Sequence, residues 1–260
     1  MQRAEMQVAG AGSSALRALL HGPAVPGGVV HAGRRAVYAE LPTGVVGVLA
    51  RGAVHVPCAI ATTLPDLPEV AVGDPAVVGD GLLRIGPLRV AVTRLVSFAV
   101  PRLASAPALD ELLLADLSPA RDQLPADALD LLAAGDPGAV PILVGRGDGL
   151  TPVGDDVLAG WLVATRAHGG DPSAVAAAVE ARLPRTTSLS AALLRHAVAG
   201  EAIAPFRAAL ATGDADAVAA LLAVGHTSGA GMLLGARLAP TSSTASTHST
   251  SHQALEGSPR

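Results

Sequence analysis

The character of the sequence changes near residue 100. From about residue 27 to 100, short β-branched runs are separated by glycine and proline, and Gly79-Asp80-Gly81 has the composition of a hairpin turn. Further along, apolar residues recur at helical spacing in segment after segment. The pattern predicts an α+β protein. A β-rich N-terminal sandwich or barrel (residues 1–105) is followed by a mostly helical C-terminal domain (residues 106–239).

The strand predictions depend on seven short apolar runs. These runs cover residues 29–31, 35–39, 45–49, 54–56, 76–78, 82–85 and 88–92. His31 and His55 fall in two of them, and we expect ordinary half-buried histidines there rather than a pair of metal ligands. Before the first run, we expect an irregular start over residues 1–12 and a short helix over residues 13–20.

Capping and stop residues place the helices of the second half. Asp171-Pro172 and Asp214 are typical of helix starts, and Gly135, Gly169, Gly200 and Gly213 are typical of helix ends. The predicted helices cover residues 108–117, 125–134, 152–168, 172–183, 187–199, 201–212, 214–224 and 228–238. Residues 240–260 consist mainly of Ser, Thr, His and Ala, cannot supply a core, and are predicted to be disordered.

Composition narrows the class of protein. A chain of 260 residues with a net charge of −4 shows no basic surface for nucleic acid. The single cysteine, Cys58, excludes an intrachain disulfide and a multi-cysteine zinc site. No uninterrupted apolar run reaches the roughly 18 residues of a membrane span, and no signal-peptide core follows the first residues. We therefore expect a cytoplasmic protein that binds neither membrane nor nucleic acid.

Residues 143–164 concentrate the most unusual residues of the chain. The special positions are Gly145, Gly147, Gly149, Thr151, Pro152, Gly154, Asp155 and Asp156. Glycine permits positive φ and a close approach of the backbone to a ligand. Thr151 is expected to be the N-cap of a helix, with Pro152 in its first turn. A glycine-rich loop before a helix N-terminus directs N–H groups at one point, which suits an anion.

Two interpretations of Asp155 and Asp156 remain open. They can be acids at a helix start that face solvent and stabilise the helix dipole. Alternatively, they can hold Mg²⁺ together with a phosphate, with Asp148 as a third oxygen ligand. The loop is neither a Walker A loop nor a Rossmann fingerprint, because the required residues do not follow the glycines.

Two later segments have a similar construction. One comprises Arg185, Thr186, Thr187 and Ser188, and the other comprises Gly225, His226, Thr227, Ser228, Gly229, Ala230 and Gly231. Helix capping needs one hydroxyl, and these segments offer several. If the three segments converge, they form a pocket in which His226 carries protons and Arg146 and Arg185 bind a carboxylate or phosphate. A structural role for His226 is equally open.

At these residues the chain resembles the AllH family, named as a subunit of oxamate carbamoyltransferase. The resemblance is carried by Gly-x-Gly-x-Gly-Leu-Thr-Pro-x-Gly-Asp-Asp and, downstream, by Gly-His-Thr-Ser-Gly-Ala. It covers residues 143–239. The matching positions are Gly145, Gly147, Gly149, Thr151, Pro152, Gly154, Asp155, Asp156, Gly225, His226, Ser228 and Gly229. The family pattern has proline at the position of Asp148 and aspartate at that of Gly231.

The resemblance implies a role in the breakdown of purine-derived ureides, with partner enzyme subunits. Oxalurate and phosphate would give oxamate and carbamoyl phosphate. The expected ligand is a small molecule with a phosphate or carboxylate, bound by the glycines, hydroxyls and arginines above. Two alternatives stay open: a non-catalytic assembly or binding subunit whose glycines serve helix packing, and a metal-dependent amide or ureide hydrolase.

Overall fold

In a computed structural model that describes residues 5–103 and 115–240, a closed β-barrel precedes a helical domain. The strands are β1 (Met6–Ser13), β2 (Val25–Ala32), β3 (Ala36–Leu41), β4 (Gly44–Leu49), β5 (Ala59–Thr62), β6 (Pro75–Gly79), β7 (Leu82–Ile85) and β8 (Leu88–Val96). The helices are α1 (Arg17–His21), α2 (Ser118–Arg121), α3 (Ala126–Ala133), α4 (Val140–Leu143), α5 (Val153–Ala167), α6 (Ser173–Glu180), α7 (Ser188–Val198), α8 (Ala204–Thr212), α9 (Ala215–Leu222) and α10 (Ser228–Leu238). The predicted α+β architecture is confirmed, and the β-rich part is a barrel.

The barrel closes through its first and last strands. The strand order is β1-β5-β4-β3-β2-β6-β7-β8, and β1 returns to pair in parallel with β8. The β4–β5 pair is also parallel, and the other pairs are antiparallel. Aliphatic side chains fill the interior because alternate residues of each strand face inward.

Strand β4 is buried on both faces, which explains its continuous run of apolar residues. One face looks into the barrel, and the other lies beneath α7, whose Leu189 and Ala192 pack against it. Within this strand, a Cβ at Gly47 would lie 2.5 Å from the ring of Tyr38, so only glycine allows the tyrosine to lie flat there. The packing of Leu189 and Ala192 on this face joins the barrel to the helical domain.

Helices α5 and α10 form the centre of the helical domain. Trp161 and Phe206 are the largest fully buried side chains of the described residues. Where α5 crosses α10, a Cβ at Gly160 would lie 2.0 Å from the Met232 carbonyl oxygen, and one at Gly235 would lie 2.0 Å from that of Val157. The two helix backbones therefore meet at glycines, with no room for a side chain between them.

The prediction for the N-terminal residues is wrong. Residues 6–13 form β1 instead of an irregular start, because the barrel needs a strand between β5 and β8 to close. Ser13 ends this strand and caps a short 3₁₀ turn by accepting a hydrogen bond from the Ala15 N–H at 3.1 Å. The predicted helix at residues 13–20 is thereby reduced to that turn and the short α1.

The predicted strand at residues 54–56 is also wrong. This segment has no regular structure, and the strand of this region is β5, which the pattern did not indicate. His55 consequently lies outside the sheet, where its Nε2 is 3.0 Å from the Ala59 carbonyl oxygen. His31 does lie in β2 and is half-buried.

The helix predictions from residue 125 onward are confirmed, with small shifts at the ends. Asp214 accepts a hydrogen bond from the Ala217 N–H at 2.7 Å and caps α9. The predicted stop residues Gly135, Gly169, Gly200 and Gly213 have φ of 72°, 82°, 80° and 65°. Most of the predicted helix at 108–117, the boundary at residue 105 and the predicted tail after residue 240 lie outside the described residues. Within the described ranges, no helix has the length and apolarity to cross a membrane.

We predict that Gly160→Ala destabilises the helical domain. The added methyl would collide with the Met232 carbonyl, and such overpacking costs about 1–3 kcal/mol or more. Urea unfolding measures the loss. The control is Gly28→Ala in β2, because a Cβ at Gly28 meets nothing within 4 Å. Equal midpoints for the two variants would contradict the glycine-mediated packing of α5 on α10.

Candidate functional site

The Asp155 carboxylate joins two of the three predicted site segments. It is only 2% exposed. It accepts hydrogen bonds from the Gly145 N–H at 2.8 Å, from the Ser190 hydroxyl at 2.6 Å, and from the Thr186 hydroxyl. These donors come from the glycine-rich loop, from α7 and from the segment before α7. One side chain in the first turn of α5 thus holds the loop against the second segment.

Burial and hydrogen bonding act in opposite directions on Asp155. Burial raises its pKa, and the hydrogen bonds from Ser190, Thr186 and Gly145 lower it. Both carboxylate oxygens already accept hydrogen bonds from the protein. The geometry therefore gives Asp155 a structural role and corrects the interpretation of a solvent-facing helix-start acid.

The third segment is joined through Thr151. Its hydroxyl lies 3.0 Å from the Ser228 hydroxyl at the start of α10. The prediction that Thr151 caps α5 is wrong, because the helix begins at Val153 and Pro152 occupies the N-cap position without a side-chain cap. All three segments nevertheless converge, an arrangement that the sequence alone had left open.

Thr187 caps α7 and also contacts the glycine-rich loop. Its hydroxyl oxygen accepts from the Ser190 N–H at 3.0 Å and donates to the Leu150 carbonyl at 2.6 Å. Next to it, the Ser188 hydroxyl donates to the Glu40 carboxylate of β3 at 2.7 Å. These two hydroxyls link the loop, α7 and the barrel.

The start of α5 does not present the row of free N–H groups that we expected for an anion. The Gly154 N–H donates to the Arg146 carbonyl at 2.9 Å, and those of Asp155 and Asp156 donate to the Pro152 carbonyl at 2.9 and 3.2 Å. A loop carbonyl thus occupies the first of these amides, and the N-cap carbonyl of Pro152 occupies the other two. Ligand contacts by this loop stay a prediction, but they cannot use the amides already bonded.

The glycines of the loop serve its shape and its packing. Gly145, Gly147 and Gly149 have φ of 73°, 107° and 90°, which other residues rarely adopt. A Cβ at Gly145 would lie 2.5 Å from the Arg185 carbonyl oxygen, and one at Gly154 would lie 2.1 Å from the Leu143 carbonyl oxygen. Close backbone contacts explain these two glycines without a ligand.

Asp156 is the buried acid that the protein leaves available. It is 5% exposed, and no donor among the described residues bonds to its Oδ2. Burial raises the pKa of Asp156 to about 8, hydrogen bonding from Ser228 opposes this shift, and the neighbouring charge of Asp155 adds to it. A buried polar atom without a partner is costly in a folded protein, so this oxygen is the strongest indication of a ligand contact.

Asp156 lies in the wall of a cavity of about 320 Å³ between the barrel and the helical domain. Thr151 and Ser228 lie in the same wall. The barrel side contributes Tyr38, Leu49 and Val56 among others, and the helical side contributes Leu193, Phe206 and Met232 among others. Cavities of this size at domain boundaries are typical small-molecule sites.

Several predicted site residues do not line the cavity. His226, Arg146 and Arg185 are exposed and are not among the described residues that line it. Thr227 is half-buried at the start of α10, and its side chain makes no capping hydrogen bond. A Cβ at Gly229 would lie 1.9 Å from the Leu221 carbonyl oxygen, which indicates packing. The proton-carrying role predicted for His226 has no support in this geometry.

Gly231 lies directly beside Asp156. A Cβ at this position would lie 2.9 Å from the Asp156 Cβ, closer than real Cβ atoms approach. An aspartate at position 231 would therefore place a second acid against Asp156 and force a local shift. Glycine leaves Asp156 as the acid on this side of the cavity.

Some lining residues carried no signal in the sequence. Tyr38 and Glu201 line the cavity, and Glu201 also lies 2.6 Å from the His196 Nδ1. Burial raises the pKa of the Tyr38 phenol well above its usual range. Tyr38 is the only tyrosine of the chain and lies in an ordinary strand pattern, so nothing marked it as a site residue.

The tentative magnesium site at Asp155 and Asp156 stays a prediction. Among the described residues, no group of three or more His, Cys, Asp or Glu side chains is arranged to hold a metal. Of these two acids, only Asp156 has a carboxylate oxygen to which no described donor bonds. Mg²⁺ would have to take its other ligands from solvent or substrate.

The fold and site together define an α+β protein with a buried acid in a cavity between a barrel and a helical domain. Residues 143–240 match the family model AllH, described as oxamate carbamoyltransferase subunit AllH. The match confirms the resemblance that the two glycine-rich motifs indicated, and it covers the loop and the helices α5 to α10. No solved structure matches the chain.

We predict that Asp155→Ala destabilises the protein strongly. The substitution leaves two hydroxyls and one backbone N–H without their acceptor, and each buried donor left without a partner costs about 1–3 kcal/mol. Urea unfolding gives the stability, and hydrogen exchange at Gly145 reports the loop locally. Asp130→Ala on α3, which removes an exposed carboxylate, is the control. A loss under about 0.5 kcal/mol would contradict the anchoring role.

A second prediction concerns stability against pH. The folded Asp156 keeps its proton up to a pKa of about 8, whereas the unfolded one releases it near 3.8. Stability from this group is therefore full below pH 3.8 and falls as pH rises to about 8, by at most about 1.4 kcal/mol per pH unit. Asp156→Asn should flatten this slope in urea unfolding. An unchanged slope would show that Asp156 titrates normally.

Proposed function

We propose that this protein is a subunit of an oxamate carbamoyltransferase-like enzyme and that its cavity binds the amide that accepts the carbamoyl group. The family match over residues 143–240 supports the class of enzyme and the presence of partner subunits. The observation that carries the proposed role of the cavity is the open Oδ2 of Asp156 in its wall. Breakdown of purine-derived ureides in the cytoplasm is the corresponding biological setting.

The chemistry of transfer needs a base at the amide. In the reverse of the breakdown reaction, the amide nitrogen attacks the carbamoyl carbon of carbamoyl phosphate, a new N–C bond forms, and the C–O bond to phosphate breaks. The nitrogen loses one proton, which Asp156 Oδ2 accepts in its ionised form. A carboxyl group whose pKa burial has raised to about 8 is a stronger base than an ordinary aspartate. Asp156 thus takes the role that we expected of His226.

The anionic phosphate needs cations that the cavity wall does not supply. Arg146 and Arg185 are exposed and close in the fold, because Gly145 packs against the Arg185 carbonyl. Guanidinium groups bind phosphate in a bidentate manner. In the proposal these two arginines form one side of the phosphate site, a partner subunit completes it, and the loop glycines hold Arg146 in place.

A second candidate is a non-catalytic assembly subunit. It is favoured by Gly160, Gly229 and Gly235, which all serve close packing, and by the structural bonds of Asp155. This candidate explains most special residues of the motif without any ligand. It does not explain the open oxygen of Asp156, which is why we place it second.

The test is the transfer reaction with the protein and the subunits that purify with it. The complex is supplied with carbamoyl phosphate and each of three primary amides: oxamate, oxamide and valeramide. Formation of the carbamoylated amide is followed by NMR. We expect turnover with at least one acceptor, and Asp156→Leu should lower kcat by about 100-fold or more, as the loss of a general base does.

Two controls separate the candidates. Asp130→Leu, the same change at an exposed carboxylate, should leave turnover unchanged, and both variants should retain the subunit composition of the wild type. Turnover that survives Asp156→Leu would favour the assembly role. No turnover with any amide would refute the transferase proposal.

A further inference from the structure

The wall of the cavity has an unusual distribution of charge. Its acids are Asp156 and Glu201, and its titratable nitrogen is that of His31. All 18 positive side chains of the Lys+Arg count are arginines, and none of the described lining residues is an arginine. An anion inside this cavity would meet two acids and no guanidinium, although carboxylate and phosphate sites usually depend on one.

The rest of the wall is apolar. Leu49, Val56, Leu193, Ile203, Phe206 and Met232 come from both sides of the cavity. An ion that leaves water for such surroundings loses its hydration without compensation, whereas an alkyl chain gains from burial. At one end, the hydroxyls of Thr151 and Ser228 lie beside Asp156. The cavity therefore combines a small polar group of Asp156, Thr151 and Ser228 with a wall that is otherwise mainly apolar.

We infer that the ligand of this cavity is an uncharged primary amide with an apolar substituent, rather than an anion such as oxamate. The amide N–H donates to Asp156 Oδ2, and the substituent packs between the barrel and the helical domain. This inference depends on the proposed function only for the amide group. It changes the substrate class, because the acceptor that the family description names carries a carboxylate next to its amide.

The state of Asp156 agrees with an uncharged ligand. Because its pKa is raised to about 8, the carboxyl is mainly protonated near neutral pH in the ligand-free protein. The protonated carboxyl can donate one hydrogen bond to an amide carbonyl, and the ionised form, after release of the proton to water, can accept an amide N–H. A carboxylate ligand would instead place a second negative charge beside the acid and make its ionisation harder.

Two matched pairs of probes test the inference by changing charge at nearly constant size. They are valeramide against valerate and oxamide against oxamate. The chain has three methionines, and Met232 lines the cavity, so the ¹³C methyl resonance of Met232 reports binding there. We expect valeramide to shift this resonance saturably, oxamide to bind more weakly, and each amide to bind at least about 100-fold more tightly than its anion.

Two variants test independently whether the ligand binds in this cavity. Asp156→Leu should abolish the shift because it removes the polar contact, and Asp156→Asn should retain most of it. Ala159→Phe fills the cavity from α5 and should also abolish binding, which keeps the test valid if Asp156→Leu does not fold. Asp130→Leu should bind valeramide as the wild type does. Thermal unfolding verifies the fold of each variant.

The outcomes show separately whether the inferred ligand class and the proposed transferase activity are correct. Valeramide binding without turnover of any amide would support the ligand class and refute the transferase. Oxamate binding that moves the Met232 methyl, requires Asp156 and exceeds that of oxamide would overturn the inference and support the family substrate. The absence of a shift with either amide, or shifts that persist in both Asp156→Leu and Ala159→Phe, would also overturn it.

Discussion

The rest of the site depends on the hydrogen bonds that the Asp155 carboxylate accepts. Its buried carboxylate accepts hydrogen bonds from a loop amide and from two hydroxyls that are distant in the chain. Because the loop is held in this way, the Thr151 hydroxyl lies within hydrogen-bonding distance of the Ser228 hydroxyl. The Leu150 carbonyl likewise accepts a hydrogen bond from the Thr187 hydroxyl. Asp156 then follows Asp155 in the helix and faces the cavity. The two adjacent aspartates therefore have different roles. Asp155 is structural, and Asp156 is available to a ligand.

Much of the architecture could be predicted because it depends on local patterns. The helices after residue 125 follow from apolar spacing, from Asp214 as a cap, and from glycines such as Gly213 as ends. β1 and β5 were missed because their conformation depends on partners far along the chain. β1 in particular contains small residues such as Gly10 and Gly12, whose absent side chains make room for Ile60 and Val92.

The candidate site was predictable in its composition and not in its geometry. The similar composition of the three segments raised the hypothesis that they meet, and in the structure they do. The sequence could not show which residue faces the cavity, because this depends on how the helices pack. The absence of a side chain at Gly231 leaves room for Asp156, whereas His226 lies on the surface. The apolar lining comes from the barrel as well as from the helices, and Tyr38 was not predicted as a site residue because it lies in an ordinary strand pattern. The prediction from the glycines was partly wrong. Glycines at a helix start indicate an anion-binding site, but several of these glycines allow close packing of the backbone instead.

Closure of the barrel by a parallel pair sets an order for folding during synthesis. Residues of β1 pair with β5 over positions 10–12 and with β8 over the whole strand. When β1 leaves the ribosome, neither partner has been made, so its N–H and C=O groups can bond only to water. Only after β8 has emerged can the ring form, and such distant pairing is intrinsically slow. The outer face of β4, on which α7 packs, is thus built before the helix that covers it is synthesised, since domains fold from the N-terminus onward.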